Sequence, residues 1–120
     1  MVPLWGLNPP KKNEKAWATF DETSGYIYAT WTHYDNYASS NPQDSAHIML
    51  SFSTDRGLNW SPAMRINQFG GNCLGESGTP LGAIPVAGPE QEVYVTWANN
   101  GKIYFDRSAD GGVTWQKRMQ

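Results

Sequence analysis

Cysteine is almost absent from this sequence, and two devices go with it. A single thiol, Cys73, forbids an intrachain disulfide, and with only His33 and His47 to join it the usual four-ligand structural zinc site is out of reach. Charge is scarce as well, at 17% of residues with a net of -2. The 9 basic residues are scattered, with no run longer than a pair such as Lys11-Lys12, so no stripe exists to track a phosphate backbone and nucleic acid is not an expected partner. No apolar run approaches a membrane span, and the opening MVPLWGLNPPKKNEK lacks the order of charge, apolar stretch and cleavage site of a signal peptide. The expectation is a soluble chain with no membrane partner, from which an upstream leader could have been trimmed. Helical periodicity is missing throughout.

At 120 residues and 13.4 kDa the chain makes one domain or part of one. Its 12 Gly, 8 Pro and 13% aromatic residues describe a turn-rich, all-β protein.

The chain also repeats itself. Ser53-Thr54-Asp55-Arg56-Gly57-Leu58-Asn59-Trp60 returns as Ser108-Ala109-Asp110-Gly111-Gly112-Val113-Thr114-Trp115, every position displaced by 55. The shared pattern, S-x-D-x-G-x-[NT]-W, describes a tight hairpin. Ser and Asp accept backbone N–H groups inside the turn, Gly takes positive φ and Trp opens the next strand. Ser53, Asp55, Gly57, Trp60, Ser108, Asp110, Gly112 and Trp115 are therefore read as structural. A second repeat, Ile27-Tyr28-Ala29-Thr30-Trp31 against Val93-Tyr94-Val95-Thr96-Trp97, alternates as strands do and is displaced by 66. The first unit thus carries 11 more residues between strand and turn, assigned to YDNYASSNPQD at 34–44.

Four short strands follow in each unit, at about 15–20, 26–33, 46–53 and 60–66, then at about 82–87, 92–98, 101–108 and 114–119. The expected organisation is an N-terminal extension 1–14, a first unit 15–66, a connection 67–81 and a second unit 82–120. Two four-stranded antiparallel meanders with turn residues between the strands suggest two blades of a β-propeller.

The two S-x-D-x-G-x-[NT]-W turns, at 53–60 and 108–115, resemble the Asp-box, or bacterial neuraminidase repeat, of sialidases and sialidase-like propellers. The resemblance covers residues 15–119 and extends to the Tyr-x-Thr-Trp strands and the GAIPVAGP run. It implies a propeller fold and the extracellular or periplasmic setting common among such proteins. It does not by itself imply an enzyme, because the same repeat occurs in receptors and assembly factors.

A sialidase-like site, by resemblance, clamps a carboxylate with three Arg and sets a Tyr nucleophile, activated by Glu, beside an Asp acid/base. Guanidinium forks suit that task. Here Arg56 and Arg107 lie at the turns, Arg65 and Arg118 fall on fourth strands, and the first-strand positions Trp17, Thr19, Ala83 and Pro85 carry no charge. The family's Phe/Tyr-Arg-Ile-Pro motif is approached only by Met64-Arg65-Ile66-Asn67, which departs at its first and last positions. G-x-S-x-G, phosphate-loop and H-E-x-x-H strings are absent too. No catalytic residue is assigned, and the chain alone is not expected to be an enzyme.

In a meander of this kind the link between strands two and three shares one end with the link to the next unit, opposite the two turns. That end collects the 34–44 insertion and the 67–81 connection, NQFGGNCLGESGTPL, and long loops on a rigid scaffold are where binding usually resides. Tyr34, Asp35, Asn36, Tyr37, Asp44, Asn72, Glu76 and Ser77 are the candidate ligand-binding residues. Rings stack on pyranose faces while carboxylates and amides pair with hydroxyls, so a glycan or another extracellular ligand is the expected partner. The competing reading is a solvated loop without ligand. Asp35, Asn36 and Asp44 offer oxygen atoms to a cation, but no EF-hand spacing supports calcium, so neither metal nor cofactor is assigned. His33 and His47 are expected at strand ends as structural residues and Cys73 as a small buried or half-buried thiol. Asn59-Trp60-Ser61 is a glycosylation sequon whose Asn belongs to the turn.

Two blades cannot close a ring and would expose aromatic faces. Either three copies complete a six-bladed ring through heterologous contacts, or the chain belongs to a longer propeller. The preferred functional expectation is a carbohydrate- or ligand-binding module. The alternatives are part of a sialidase-like glycoside hydrolase with an incomplete catalytic set, and a structural repeat unit.

Overall fold

The computed structural model describes residues 11–116. Its strands, in chain order, are β1 (Lys12–Phe20), β2 (Ile27–Tyr34), β3 (Ala46–Ser53), β4 (Met64–Arg65), β5 (Leu81–Ala87), β6 (Val93–Asn99) and β7 (Lys102–Ser108). No helix occurs among the described residues. Strands β1-β2-β3-β4 form one sheet and β5-β6-β7 a second, each antiparallel and each paired in sequence order.

Three boundaries differ by more than one residue from those the sequence predicts. Strand β1 begins at Lys12, so it takes in residues assigned to the 1–14 extension. The strand expected at 60–66 shrinks to Met64–Arg65. Ser61 is the reason: its hydroxyl accepts the Phe52 N–H at 2.9 Å and its carbonyl takes the Ser51 hydroxyl at 2.6 Å, and Pro62 next to it has no N–H to donate. The strand expected at 114–119 does not form over Thr114–Gln116, where one backbone bond, Gln116 N–H to Arg107 O at 2.9 Å, continues the pairing. Residues 117–119 lie outside the described residues.

The two repeat turns make the same bonds. Ser53 Oγ accepts the Gly57 N–H at 2.8 Å and Ser108 Oγ accepts the Gly112 N–H at 2.9 Å. Asp55 Oδ1 accepts the Asn59 N–H at 2.8 Å, as Asp110 Oδ1 accepts that of Thr114 at 2.9 Å. Each indole N–H folds back on the glycine carbonyl, Trp60 to Gly57 at 3.1 Å and Trp115 to Gly112 at 3.0 Å. The Ser and Asp side chains thus satisfy backbone donors that the turn leaves without sheet partners.

A bulge repeats as well. Register breaks between Glu14 and Trp17 in β1 and between Leu81 and Ile84 in β5, with Lys15 (φ 56°) and Gly82 (φ 72°) in the left-handed region. Such a residue inserts one extra position and twists the strand.

The core lies between the sheets. By register Tyr28, Thr30 and Thr32 of β2 share a face with Phe52, Leu50 and Ile48 of β3. That face meets Ala83, Val95 and Trp97 of the second sheet in one cluster. Ile48 and Leu50 are fully buried, which stabilises the fold by roughly 1.5–3 kcal/mol for each side chain. Hydroxyls cross the same boundary: Thr30 Oγ1 donates to Ala83 O at 3.3 Å, Thr32 Oγ1 to Pro80 O at 2.9 Å and Tyr28 OH to Gly111 O at 3.1 Å. Threonine therefore serves twice here, filling a β surface with its methyl and tying the neighbouring sheet with its hydroxyl.

Candidate functional site

The link between β2 and β3 covers residues 35–45, whereas β6 and β7 are joined by Asn100-Gly101 alone. Both of those residues take positive φ (53° and 72°), as a two-residue hairpin of Asn-Gly type requires. The Asn100 N–H donates to Ser77 O at 2.6 Å, which ties this hairpin to the segment between the sheets.

The expected gathering of loops at this end is what the fold displays. Ala38 N–H donates to Cys73 O at 2.7 Å, and Ala46 and Gly71 exchange both backbone bonds, at 2.8 and 3.0 Å. A Cβ on Gly71 would stand 2.4 Å from Gly78 O, so only glycine lets the connection fold back on itself here. Beneath the loops Tyr34, Ala46 and Cys73 form a small, fully buried cluster against Leu81.

The eight candidate residues divide accordingly. Tyr34 belongs to this cluster, not to the loop surface: its ring is buried and its hydroxyl donates to Glu14 Oε1 at 2.6 Å. That corrects its assignment as a stacking ring, and the physical reason is that β2 runs one residue past His33 and turns Tyr34 inward. Tyr37 stays 41% exposed, packs edge-on to Tyr34 at 5.0 Å and carries Lys12 Nζ 3.8 Å above its ring. Asp35 accepts the Ser45 N–H at 3.0 Å, and Asp44 Oδ2 takes the Ser39 hydroxyl at 2.6 Å and the Asn36 amide at 3.4 Å. These bonds shape the 35–45 loop. Asn72 Oδ1 accepts from Thr79 Oγ1 at 2.7 Å and from the Leu74 N–H at 3.0 Å, while Glu76 and Ser77 are exposed.

Between the two loops lies an open groove of about 600 Å³. Of the eight candidates only Asp44 and Asn72 line it; His47, Arg65, Asn99 and Asn100 join them. Arg65 also borders a second recess of about 490 Å³, beside Asn67, Gln68 and Trp115. Its guanidinium is held by two carbonyls, Nε to Asn67 O at 2.9 Å and Nη2 to Gln68 O at 2.7 Å. Asn67 is itself fixed, its Oδ1 accepting the Ile48 N–H at 2.8 Å and its amide donating to Phe69 O at 2.6 Å.

Two buried polar atoms on the groove have no partner, His47 Nδ1 and Asn99 Oδ1. Natural proteins rarely leave such atoms unpaired, because each costs about 1–3 kcal/mol. Burial, reinforced by the Arg65 charge, pushes the His47 ring below its ordinary pKa, so it is neutral at pH 7. His33, the other histidine, is fixed in place instead, with Nδ1 3.0 Å from Asn13 Oδ1 and Nε2 3.6 Å from Asp35.

The groove thus carries the Asp44 carboxylate, the Asn72, Asn99 and Asn100 amides, the His47 ring and one cation, Arg65. Among the described residues no three His, Cys, Asp or Glu side chains converge on a metal position. His47, Asn99 and Arg65 line the groove but are not among the candidates the sequence offers. His47 looked like a strand-end residue, and Asn99 looked like part of a hairpin turn. Only the fold brings them beside the 35–45 loop. Neither the models of known protein families nor the curated proteins match this chain.

Proposed function

We propose that the chain is a ligand-binding module of the sialidase-like Asp-box kind, each sheet a propeller blade, and that it takes a polyhydroxylated ligand, a carbohydrate, in the groove between the 35–45 and 67–80 loops. The observation that carries this reading is that two residues lining one groove, His47 and Asn99, each hold a buried polar atom without a partner, Nδ1 and Oδ1. A sugar hydroxyl both donates and accepts, so it suits Asn99 Oδ1 as donor and His47 Nδ1 in either tautomer. Asp44 and Asn72 widen the polar lining, and Arg65 adds a donor that does not titrate. The blade reading is supported by the repeated turns and by two antiparallel meanders whose strands pair in sequence order.

The test is a glycan array probed with the wild-type chain and with Asn99→Ala. Binding to a defined sugar set, lost or cut at least tenfold by Asn99→Ala with unfolding unchanged, is the expected result. An array silent at high protein concentration would leave the structural repeat unit as the better account.

Arg65 at the groove also favours a second reading, part of a glycoside hydrolase. Its guanidinium, however, is already occupied by the carbonyls of Asn67 and Gln68, and Asp44 is the one carboxylate on the groove. Hydrolysis of a fluorogenic sialoside by the chain alone would favour the hydrolase over the binder.

A further inference from the structure

Three consecutive carbonyls in the segment after β4 are tied down by two side chains. Arg65 takes the first two, Nε donating to Asn67 O at 2.9 Å and Nη2 to Gln68 O at 2.7 Å, and the Asn67 amide donates to the third, Phe69 O, at 2.6 Å. Asn67 is itself buried, and its Oδ1 accepts the N–H of Ile48 at 2.8 Å, so the segment is anchored to a core strand. What it holds out is Phe69, whose ring is 53% exposed. A lone exposed ring needs no explanation, but one on a backbone fixed by side-chain bonds is a rigid contact with little ordering entropy left to lose on binding.

The place of that ring among the recesses gives it a use. The groove of about 600 Å³ shares Asn99 with a tight cleft of about 10 Å³ that Phe69, Trp97 and Tyr104 line, and the cleft shares Gln68 with the recess of about 490 Å³. Phe69 borders neither of the larger spaces and stands where they meet. Each of those spaces is the size of a single small-molecule site. The cleft has room for about one water, so a ligand that reaches from one space to the other crosses outside it, over the Phe69 ring. Trp97 and Tyr104, stacked 6.2 Å apart at 12°, give the junction a firm apolar wall. Both ends are polar, with Asp44 and Asn72 on one side and Gln68 and Asp106 on the other. Polar, aromatic and polar surfaces in that order match a ligand of repeated units, each with hydroxyls at its rim and a flat apolar face.

We propose that the site takes an oligosaccharide and not a single sugar, with one unit in each of the two larger recesses and the unit between them stacked on Phe69. This rests on the carbohydrate reading above and adds to it the length of the ligand and a binding residue, Phe69, outside the groove itself.

Titration calorimetry tests it, with the glycan bound best on the array supplied as its monosaccharide and as oligomers of increasing length. The expected result is an affinity that climbs with length by roughly tenfold or more, as it does when linked units bind together. Phe69→Ala should remove most of that gain, and Phe69→Leu likewise, while Phe69→Trp, which keeps a flat ring, retains it. The monosaccharide affinity should stay within about twofold in all three variants, because Phe69 lies outside the groove. Unchanged urea unfolding in each variant establishes that the fold survives. Equal affinity at every length, a length preference that Phe69→Ala leaves intact, or a loss that falls equally on monosaccharide and oligomer would overturn the proposal and leave the carbohydrate reading standing. No binding at any length would remove both.

Discussion

Tyr28 donates its hydroxyl hydrogen to the carbonyl of Gly111 at 3.1 Å, so a strand of the first sheet is fastened to the repeat turn of the second unit. The neighbouring glycine feels the same ring. A Cβ on Gly112 (φ 93°) would lie 3.1 Å from Tyr28 Cε1 and 3.4 Å from Phe52 Cδ1, whereas one on Gly57 (φ 90°) would meet nothing closer than 3.9 Å. The two turns share one geometry but not one environment.

Gly57→Ala is therefore expected to cost about 1–2 kcal/mol, the penalty of a side chain at positive φ. Gly112→Ala should cost a further 1–3 kcal/mol or so, because it also crowds a packed ring. Urea denaturation of the two variants measures the gap directly, and equal losses would mean that the Tyr28 contact is not formed.

The fourth position of each repeat turn is left-handed too, Arg56 at φ 62° and Gly111 at φ 73°. Arginine meets a steric cost there that glycine avoids. Arg56→Gly is expected to stabilise the chain by up to about 1 kcal/mol. Since Arg56 is exposed, loss of its charge should matter little. A lower unfolding midpoint would show instead that the guanidinium contributes more than the backbone strain removes.

Acid should loosen the turns. The Thr114 hydroxyl and N–H hold the Asp110 carboxyl down at about 2, and the Asn59 N–H and amide lower Asp55. Asp21, in the β1–β2 link, is lowered mainly by the Ser24 hydroxyl. A carboxyl whose folded pKa lies below 3.8 stabilises the fold above about pH 4 and loses that contribution as pH falls toward 2. The melting temperature should drop across that window, and Asp110→Asn should flatten the drop. Tyr28 sets the alkaline limit with the opposite sign, since burial raises its phenol to about 12. Its contribution is complete below about pH 10 and is lost as pH climbs toward 12. A tyrosinate titration in which every phenol ionises near 10 would contradict this.

Much of this fold is legible in the sequence, and the reasons are local. The S-x-D-x-G-x-[NT]-W turns carry their hydrogen bonds within eight residues, so residue types alone disclose them. The Tyr-x-Thr-Trp strands follow from alternation. The bulges at Lys15 and Gly82 are harder to see, because a lysine does not announce positive φ. The site is harder still. Tyr34 and Tyr37 look alike in sequence, yet one closes a core cluster and the other faces solvent. Asn99 reaches the groove only because β6 is set beside a connection some 20–30 residues earlier in the chain, a long-range relation with no local signature.

Cys73 offers a simple check on how tightly the loop end is closed. It is free and fully buried under the 35–45 loop. A thiol so enclosed should resist a disulfide exchange reagent in the native chain and react fully once denatured. Rapid native labelling would mean that the loops open on the timescale of the reaction. Asp44→Ala, which removes the acceptor of the Ser39 hydroxyl, should speed labelling several-fold without a comparable loss of global stability.

The separation of hydrogen-bonded turns at one pole from variable links at the other has a consequence for how such a chain can change. One unit joins its middle strands with eleven residues and the other with the two residues Asn100-Gly101, yet both keep the same strand register and the same turn bonds. Length at that pole is therefore uncoupled from the turn bonds at the other. The 35–45 segment is not idle, since Ala38 N–H bonds Cys73 O and Tyr37 packs on Tyr34. A foreign loop grafted there has to keep that cover over Cys73, whereas the Asn100-Gly101 hairpin of the second unit has no such cluster to shield and is the freer place to lengthen.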